Sequence, residues 1–244
     1  MRLGTHVSLA VGVGTLLGAA TLARRQITHA EIRIFRMANG LPGGGYPAIW
    51  IPMQYGTFGA VPAAAVLALA RRRPRLALAI GVGGTAAWVS AKAVKSIVDR
   101  GRPASVLEGV SLRGREEGDR GFPSGHATVA AALTVVAWPY LSDGWRVSLA
   151  ALSGFVPFAR MYVGVHLPLD VVGGSALGLA IGSAVNLSIS MRKPASEASS
   201  ESRAVPSADE ADETTRTTNR PRPEWRAPLQ LSPSRRDEHR EGRG

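Results

Sequence analysis

Three polar clusters interrupt an otherwise apolar chain, and each has residue types suited to handling phosphate. Lys95 and Arg102 stand seven positions apart, about two helical turns, so both cations face one site if the helix continues that far. Pro103 then marks a break. Charge at the end of an apolar helix costs several kcal/mol unless paired or hydrated, which invites a functional reading of Lys92 and Lys95, although either can simply snorkel. The second cluster is Pro123, Ser124, Gly125 and His126, where a polar loop meets an apolar run. Ser124 suits an N-cap, Gly125 lets backbone approach a ligand, and the free amides of a helix start favour an anion. A capped helix start with a histidine attached is the bland alternative. The third cluster is Arg160, His166 and Asp170. Pro168 suits the first turn of a helix, which puts Asp170 near a helix N-terminus, where its charge is favoured. A carboxylate four positions from an imidazole can fix its tautomer and raise the basicity of the far nitrogen, while a surface ion pair explains the same spacing.

The elements that must position these groups are apolar runs at Thr5–Ala23, Pro47–Ala70, Leu76–Val98, His126–Leu141, Val147–Val165 and Leu169–Ser190. A hydrocarbon core of about 30 Å needs roughly 20 apolar residues, so six membrane helices is the simplest reading. Arg71, Arg72, Arg73, Pro74 and Arg75 stop one run, and Ser142, Asp143, Gly144 and Trp145 form a turn between two others. The first run is long for a signal peptide and lacks a clean small-x-small cleavage site. Ile27–Ala38 places Ile32, Phe35 and Met37 near one side and Glu31, Arg33 and Arg36 near another, as in a short helix lying in the interface; an ordinary polar loop fits equally. Gly174, Gly178 and Gly182 repeat every four residues, which favours close helix packing.

The 244 residues carry a net charge of +11, with 45% hydrophobic residues and a mean hydropathy of only +0.04. That average hides two unlike parts. Residues 1–190 hold 18 Lys and Arg against 8 Asp and Glu, whereas residues 191–244 hold 11 against 10 and are rich in Ser, Thr and Pro. The second part cannot bury enough apolar surface to offset its ordering entropy, so it reads as a disordered tail behind a membrane domain of residues 1–190. Aromatics are 6% and no basic helix or RNA-binding signature appears, which argues against a nucleic-acid partner. With no cysteine, disulfides, thiolate nucleophiles and Cys-ligated metals are excluded. Glu116, Glu117 and Asp119 sit among Arg113, Arg115 and Arg120 and read as a solvated loop, and His6, His29 and His239 as incidental.

In order along the chain, the clusters read Lys-x6-Arg-Pro, Pro-Ser-Gly-His and Arg-x5-His-x3-Asp. This sequence resembles the type-2 phosphatidic acid phosphatase family of membrane lipid phosphatases over roughly residues 31–190. One departure is Ala159, where the family usually has Ser; that loses a hydrogen bond to phosphate of about 1 kcal/mol. The resemblance implies an all-α, polytopic six-helix membrane phosphatase acting on a lipid phosphate or diphosphate. It implies that His166 is the nucleophile, forming a phosphohistidine, that Asp170 holds its other nitrogen, and that His126 protonates the leaving oxygen and then activates water. Lys95, Arg102, Ser124, Gly125 and Arg160 are then the phosphate-binding residues, doing what a metal does elsewhere, so no cofactor is expected. The partners implied are the bilayer and its lipid phosphate. Loop charges balance too closely to orient the chain, and family similarity implies a bacterial cell membrane with both termini cytoplasmic and the active site outside. A histidine-dependent lipid phosphotransferase and a non-catalytic lipid-phosphate-binding protein remain as other classes. The soluble vanadium haloperoxidases, which share the anion site, fit the apolar runs poorly.

Overall fold

The computed structural model describes residues 2–114 and 118–191, all of them within one compact unit, Met1–Lys193. Among the described residues nine α-helices follow in order: α1 (Arg2–Ala23), α2 (His29–Asn39), α3 (Tyr46–Met53), α4 (Ala60–Ala70), α5 (Pro74–Val98), the single turn α6 (Pro103–Val106), α7 (Gly125–Ala137), α8 (Asp143–Tyr162) and α9 (Pro168–Met191). The described residues contain no β-strand, only an isolated bridge between Gly101 and Arg120.

Helix α9 is the axis of the assembly and packs against both α1 and α7, while α5 lies against α4, α7 and α9. Small residues set those distances. A Cβ on Gly178 would overlap the Thr128 carbonyl and Ala131 of α7, one on Gly174 the Ser124 carbonyl, and one on Gly182 would stand 2.7 Å from Val135 Cβ. On the other flank, a Cβ on Gly12 would stand 2.8 Å from the Ala180 nitrogen. Backbones this close gain dispersion contacts that larger side chains would hold apart. The core of the α5–α7 contact is correspondingly Ala- and Val-rich, with Ala87, Ala132 and Val136 fully buried. Apolar residues on the outward faces of α1 and α5, such as Leu17, Leu78 and Val82, are exposed, as lipid contact requires.

Every expected apolar run is largely helical, with Pro47–Ala70 interrupted at residues 57–59, but the runs differ in capacity to span. Helices α1, α5 and α9 are long and apolar enough to cross a membrane, and α3 with α4 makes a fourth candidate bent by 69°. The bend follows Pro52 inside α3 and the turn through Gly56 and Thr57. Helix α7 has only 13 residues, and α8 carries Asp143, Arg146 and Arg160 along its 20. Ser142 is the N-cap residue of α8, so Asp143, Gly144 and Trp145 are its first turn rather than a connecting turn. Residues 192–244, which contain nearly all of the expected tail, lie outside the described residues.

Helix α2 departs from the expected two-sided pattern. Its buried face is Glu31, Phe35, Ala38 and Asn39, at helical spacing, while Met37 and Ile34 are exposed. Thr28 caps it by accepting from the Glu31 amide at 3.2 Å. Its far end is tied down by Asn39, whose Nδ2 donates to the carbonyls of Ser111 (2.8 Å) and Tyr162 (3.1 Å) and whose Oδ1 accepts from the Ser111 amide (2.9 Å). Arg113 reinforces this junction by donating to the carbonyls of Tyr162, Asn39 and Leu41 and by stacking over the Tyr162 ring, so it is a structural tie and not part of a solvated loop. Residues 115–117 of that loop lie outside the described residues.

Three substitutions test these contacts in thermal melts of detergent-purified protein. Gly178→Ala should destabilise by about 1–3 kcal/mol, because its methyl meets a backbone carbonyl that cannot yield, whereas Gly14→Ala, with open space around its Cβ, should be neutral or stabilising by up to about 1 kcal/mol. Asn39→Ala should cost about 2–3 kcal/mol, since it strips three hydrogen bonds that tie the end of α2 to Ser111 and Tyr162.

Candidate active site

A cavity of about 620 Å³ collects residues from five separate parts of the chain. Lys95 comes from the last turn of α5, Arg102 from the loop after it, Gly125 and His126 from the start of α7, Arg160 from the last turn of α8, and His166 from the α8–α9 loop. The same cavity is lined by Trp50, Met53, Phe58 and Trp88. Phe58 and Trp88 pack with ring centroids 4.8 Å apart, and Lys92 stands 3.6 Å above the Trp88 ring. Cationic and aromatic surfaces therefore meet in one space.

The cations do not arrive as a continuous helix would deliver them. Helix α5 ends at Val98, Asp99 takes a left-handed backbone with φ +48°, and the chain turns before Arg102. Sequence spacing suggested one helical face; the convergence instead comes from this turn, held by the Gly121 amide donating to the Arg100 carbonyl at 2.7 Å. Lys95 Nζ reaches across to donate to the carbonyls of Arg120 (3.0 Å) and Gly121 (3.1 Å), and Arg102 donates to the Val165 carbonyl (3.3 Å). Ser124 sits at the N-cap position of α7, yet its side chain makes no capping bond; its Oγ is fully buried without a hydrogen-bond partner among the described residues. Around Gly125 there is open space.

His166 and Asp170 are both buried. Asp170 occupies the first turn of α9, where its Oδ2 accepts from the Leu167 amide at 2.8 Å, a carboxylate closing back on the helix start. His166 Nδ1 stands 3.6 Å from that same Oδ2, just beyond hydrogen-bond length, so the Leu167 amide holds the carboxylate beside the imidazole. Burial and the charges of Arg160, Lys95 and Arg102 hold the His166 imidazolium well below its ordinary pKa of 6.5. A neutral imidazole in a positive field can attack an electrophilic phosphorus. His6 and His29 are exposed on the protein surface, away from this cavity's lining, and His239 lies outside the described residues. Ala159 is fully buried among Met53, Tyr162 and Val165 and does not line the cavity. Among the described residues no group of three or more His, Asp or Glu is arranged to hold a metal.

Two residues of this neighbourhood escaped the sequence reading. Arg100 Nη1 donates to Asp170 Oδ1 at 3.0 Å and its Nη2 to Glu31 Oε2 at 2.7 Å, all three side chains being buried. Glu31 Oε1 also accepts from the Leu169 amide at 3.1 Å. One signal was available: Glu31, Phe35 and Ala38 share one helical face, so an acidic residue lay in an apolar stripe.

Residues 74–194 match the PAP2 superfamily. Over 121 residues the chain is 29% identical to an undecaprenyl-diphosphatase of Sulfolobus acidocaldarius, a match covering 48% of this chain and 57% of that relative. The chain thus spans little more than half the length of that curated relative. The fold is that of LpxE from Aquifex aeolicus, with a TM-score of 0.61 and 20% identity over 66% of this chain and 96% of that one. It is also that of a transmembrane PAP2-type phosphatidylglycerolphosphate phosphatase from Bacillus subtilis, with a TM-score of 0.58 and 22% identity over 75% and 98%. The matched segment contains all three polar clusters and α5 to α9, and this segment of the chain belongs to the PAP2 superfamily.

Proposed function

We propose that the chain is an integral-membrane phosphatase that hydrolyses a lipid phosphate or diphosphate through a phosphohistidine, without a metal. The observation that carries this reading is the single cavity in which two imidazoles and five cationic side chains, Lys95, Arg102 and Arg160 among them, adjoin an aromatic wall. Such a space suits an anionic headgroup on an apolar tail, and the named relative favours a polyprenyl diphosphate over other lipid phosphates.

In the first step the His166 Nε2 lone pair forms a bond to phosphorus as the P–O bond to the leaving group breaks. The leaving oxygen keeps that electron pair and takes a proton from His126. Water then attacks phosphorus and gives its proton to His126, and the N–P bond breaks, returning its pair to His166. Lys95, Arg102 and Arg160, with Ser124 and the Gly125 amide, hold the phosphate oxygens as charge redistributes. Asp170 faces the imidazolium that forms. In this reading α1, the α3–α4 pair, α5, α7, α8 and α9 make six crossings, and the site opens outside a bacterial cell membrane.

The direct test is phosphate release by detergent-purified protein from polyprenyl diphosphates, phosphatidic acid and polyprenyl sugar phosphates in excess chelator. His166→Ala should lose at least about a thousandfold in kcat, and His126→Ala should be least impaired on substrates with acidic leaving groups. Absence of release from all three classes, or normal release by His166→Ala, overturns the reading.

The acid limb of kcat/KM supplies a second test. Because burial and the positive field hold His166 below 6.5, its protonation should cost activity only below that pH. Arg160→Gln removes one positive charge, so His166 protonates more readily and the limb should move to higher pH on the same substrate.

A further inference from the structure

The buried chain Glu31, Arg100, Asp170 and His166 has an electrostatic consequence. As Nε2 of His166 bonds to phosphorus, the ring gains positive charge, and Nδ1 faces Asp170. Lys95, Arg102 and Arg160 already crowd this space with positive charge. A carboxylate at Asp170 is the local counter-charge, yet Arg100 lies against its other oxygen at 3.0 Å. An arginine and an aspartate alone sum to zero and give the ring little net stabilisation. Glu31 alters that sum: its carboxylate binds the opposite side of the same guanidinium at 2.7 Å, so the buried trio carries a net charge of −1. Arg100 thereby fixes the Asp170 carboxylate geometrically without neutralising the field that it offers the imidazole.

Resting on the proposed roles of His166 and Asp170, we propose that Glu31, on the N-terminal helix α2 and outside the three motifs, is a positioning residue for the reaction: it offsets the charge of Arg100 so that Asp170 can stabilise the ring of His166 as it becomes cationic. Glu31 makes no cavity wall. Its bond to the Leu169 amide also joins α2 to the first turn of α9. A solely structural anchor would equally use that bond, so the distinguishing property is charge.

The experiment is steady-state phosphatase kinetics on purified full-length protein with polyprenyl diphosphate, comparing wild type, His166→Ala, Glu31→Gln, Glu31→Asp and the double variant Glu31→Gln/Arg100→Gln. Glu31→Gln keeps the shape and loses the charge; kcat should fall roughly tenfold to a hundredfold, with KM changing less than about threefold because no group touching substrate is altered. Glu31→Asp should recover part of kcat. The double variant restores a net −1 at the trio and should exceed Glu31→Gln in kcat, whereas removing two purely structural contacts should only add to the loss. Wild-type kcat in Glu31→Gln, a loss confined to KM, or a double variant no faster than Glu31→Gln overturns the proposal. Should Glu31→Gln not fold, the charge-balanced double variant carries the test: kcat within about tenfold of wild type supports the proposal, and kcat at the His166→Ala level overturns it. An inactive wild type, or an active His166→Ala, instead overturns the phosphatase reading itself.

Discussion

Arg100 is the interaction on which the site's geometry depends. Its guanidinium lies between two buried carboxylates, Glu31 from α2 and Asp170 from α9, and its backbone carbonyl accepts the Gly121 amide. Three segments far apart in sequence are thus joined at one planar cation whose fork can serve two carboxylates at once. Burying such charges costs several kcal/mol per ion, and only near-ideal hydrogen bonds offset that cost. Leaving any one of the three unpaired would be strongly unfavourable, so the arrangement has little freedom to adopt another geometry.

The helices supply the remaining rigidity by simple means. Glycines at four-residue intervals let α9 approach the α7 backbone, and the Ser124 amide donates to the Asp170 carbonyl at 2.8 Å where those helices begin. The start of α7, which carries His126, is therefore referenced to the start of α9, which carries Asp170. A close-packed interior transmits such constraints because it has few voids in which to relax. Cations and imidazoles then collect at helix ends and loops, where the backbone can turn them inward, while the helix midsections remain apolar.

Much of the site was legible in the sequence because its residues belong to three short strings whose chemistry is local. Lys95, Arg102, His126, Arg160 and His166 all line one cavity, as their types and order suggested. The route by which Lys95 and Arg102 meet was not legible, since a 3.6-residue period assumes a helix that in fact stops at Val98. Ser124 has the residue type of an N-cap and occupies that position without making the bond, because its side chain is turned into a buried environment. Periodicity reports which face is apolar and says nothing of a rotamer.

By itself the sequence determined that the apolar runs are helical and which polar strings have residue types suited to phosphate, since these follow from local composition and spacing. Tertiary structure alone decided that Glu31 and Arg100 belong with Asp170, the carboxylate that faces His166. Glu31 lies 69 positions from Arg100 and 139 from Asp170, and no local pattern encodes a pairing at that distance. It also decided that Arg113 ties α2 to α8 instead of facing water. A charged residue reads as solvated until packing excludes water from it, and which charges lose their water depends on how the helices close upon one another.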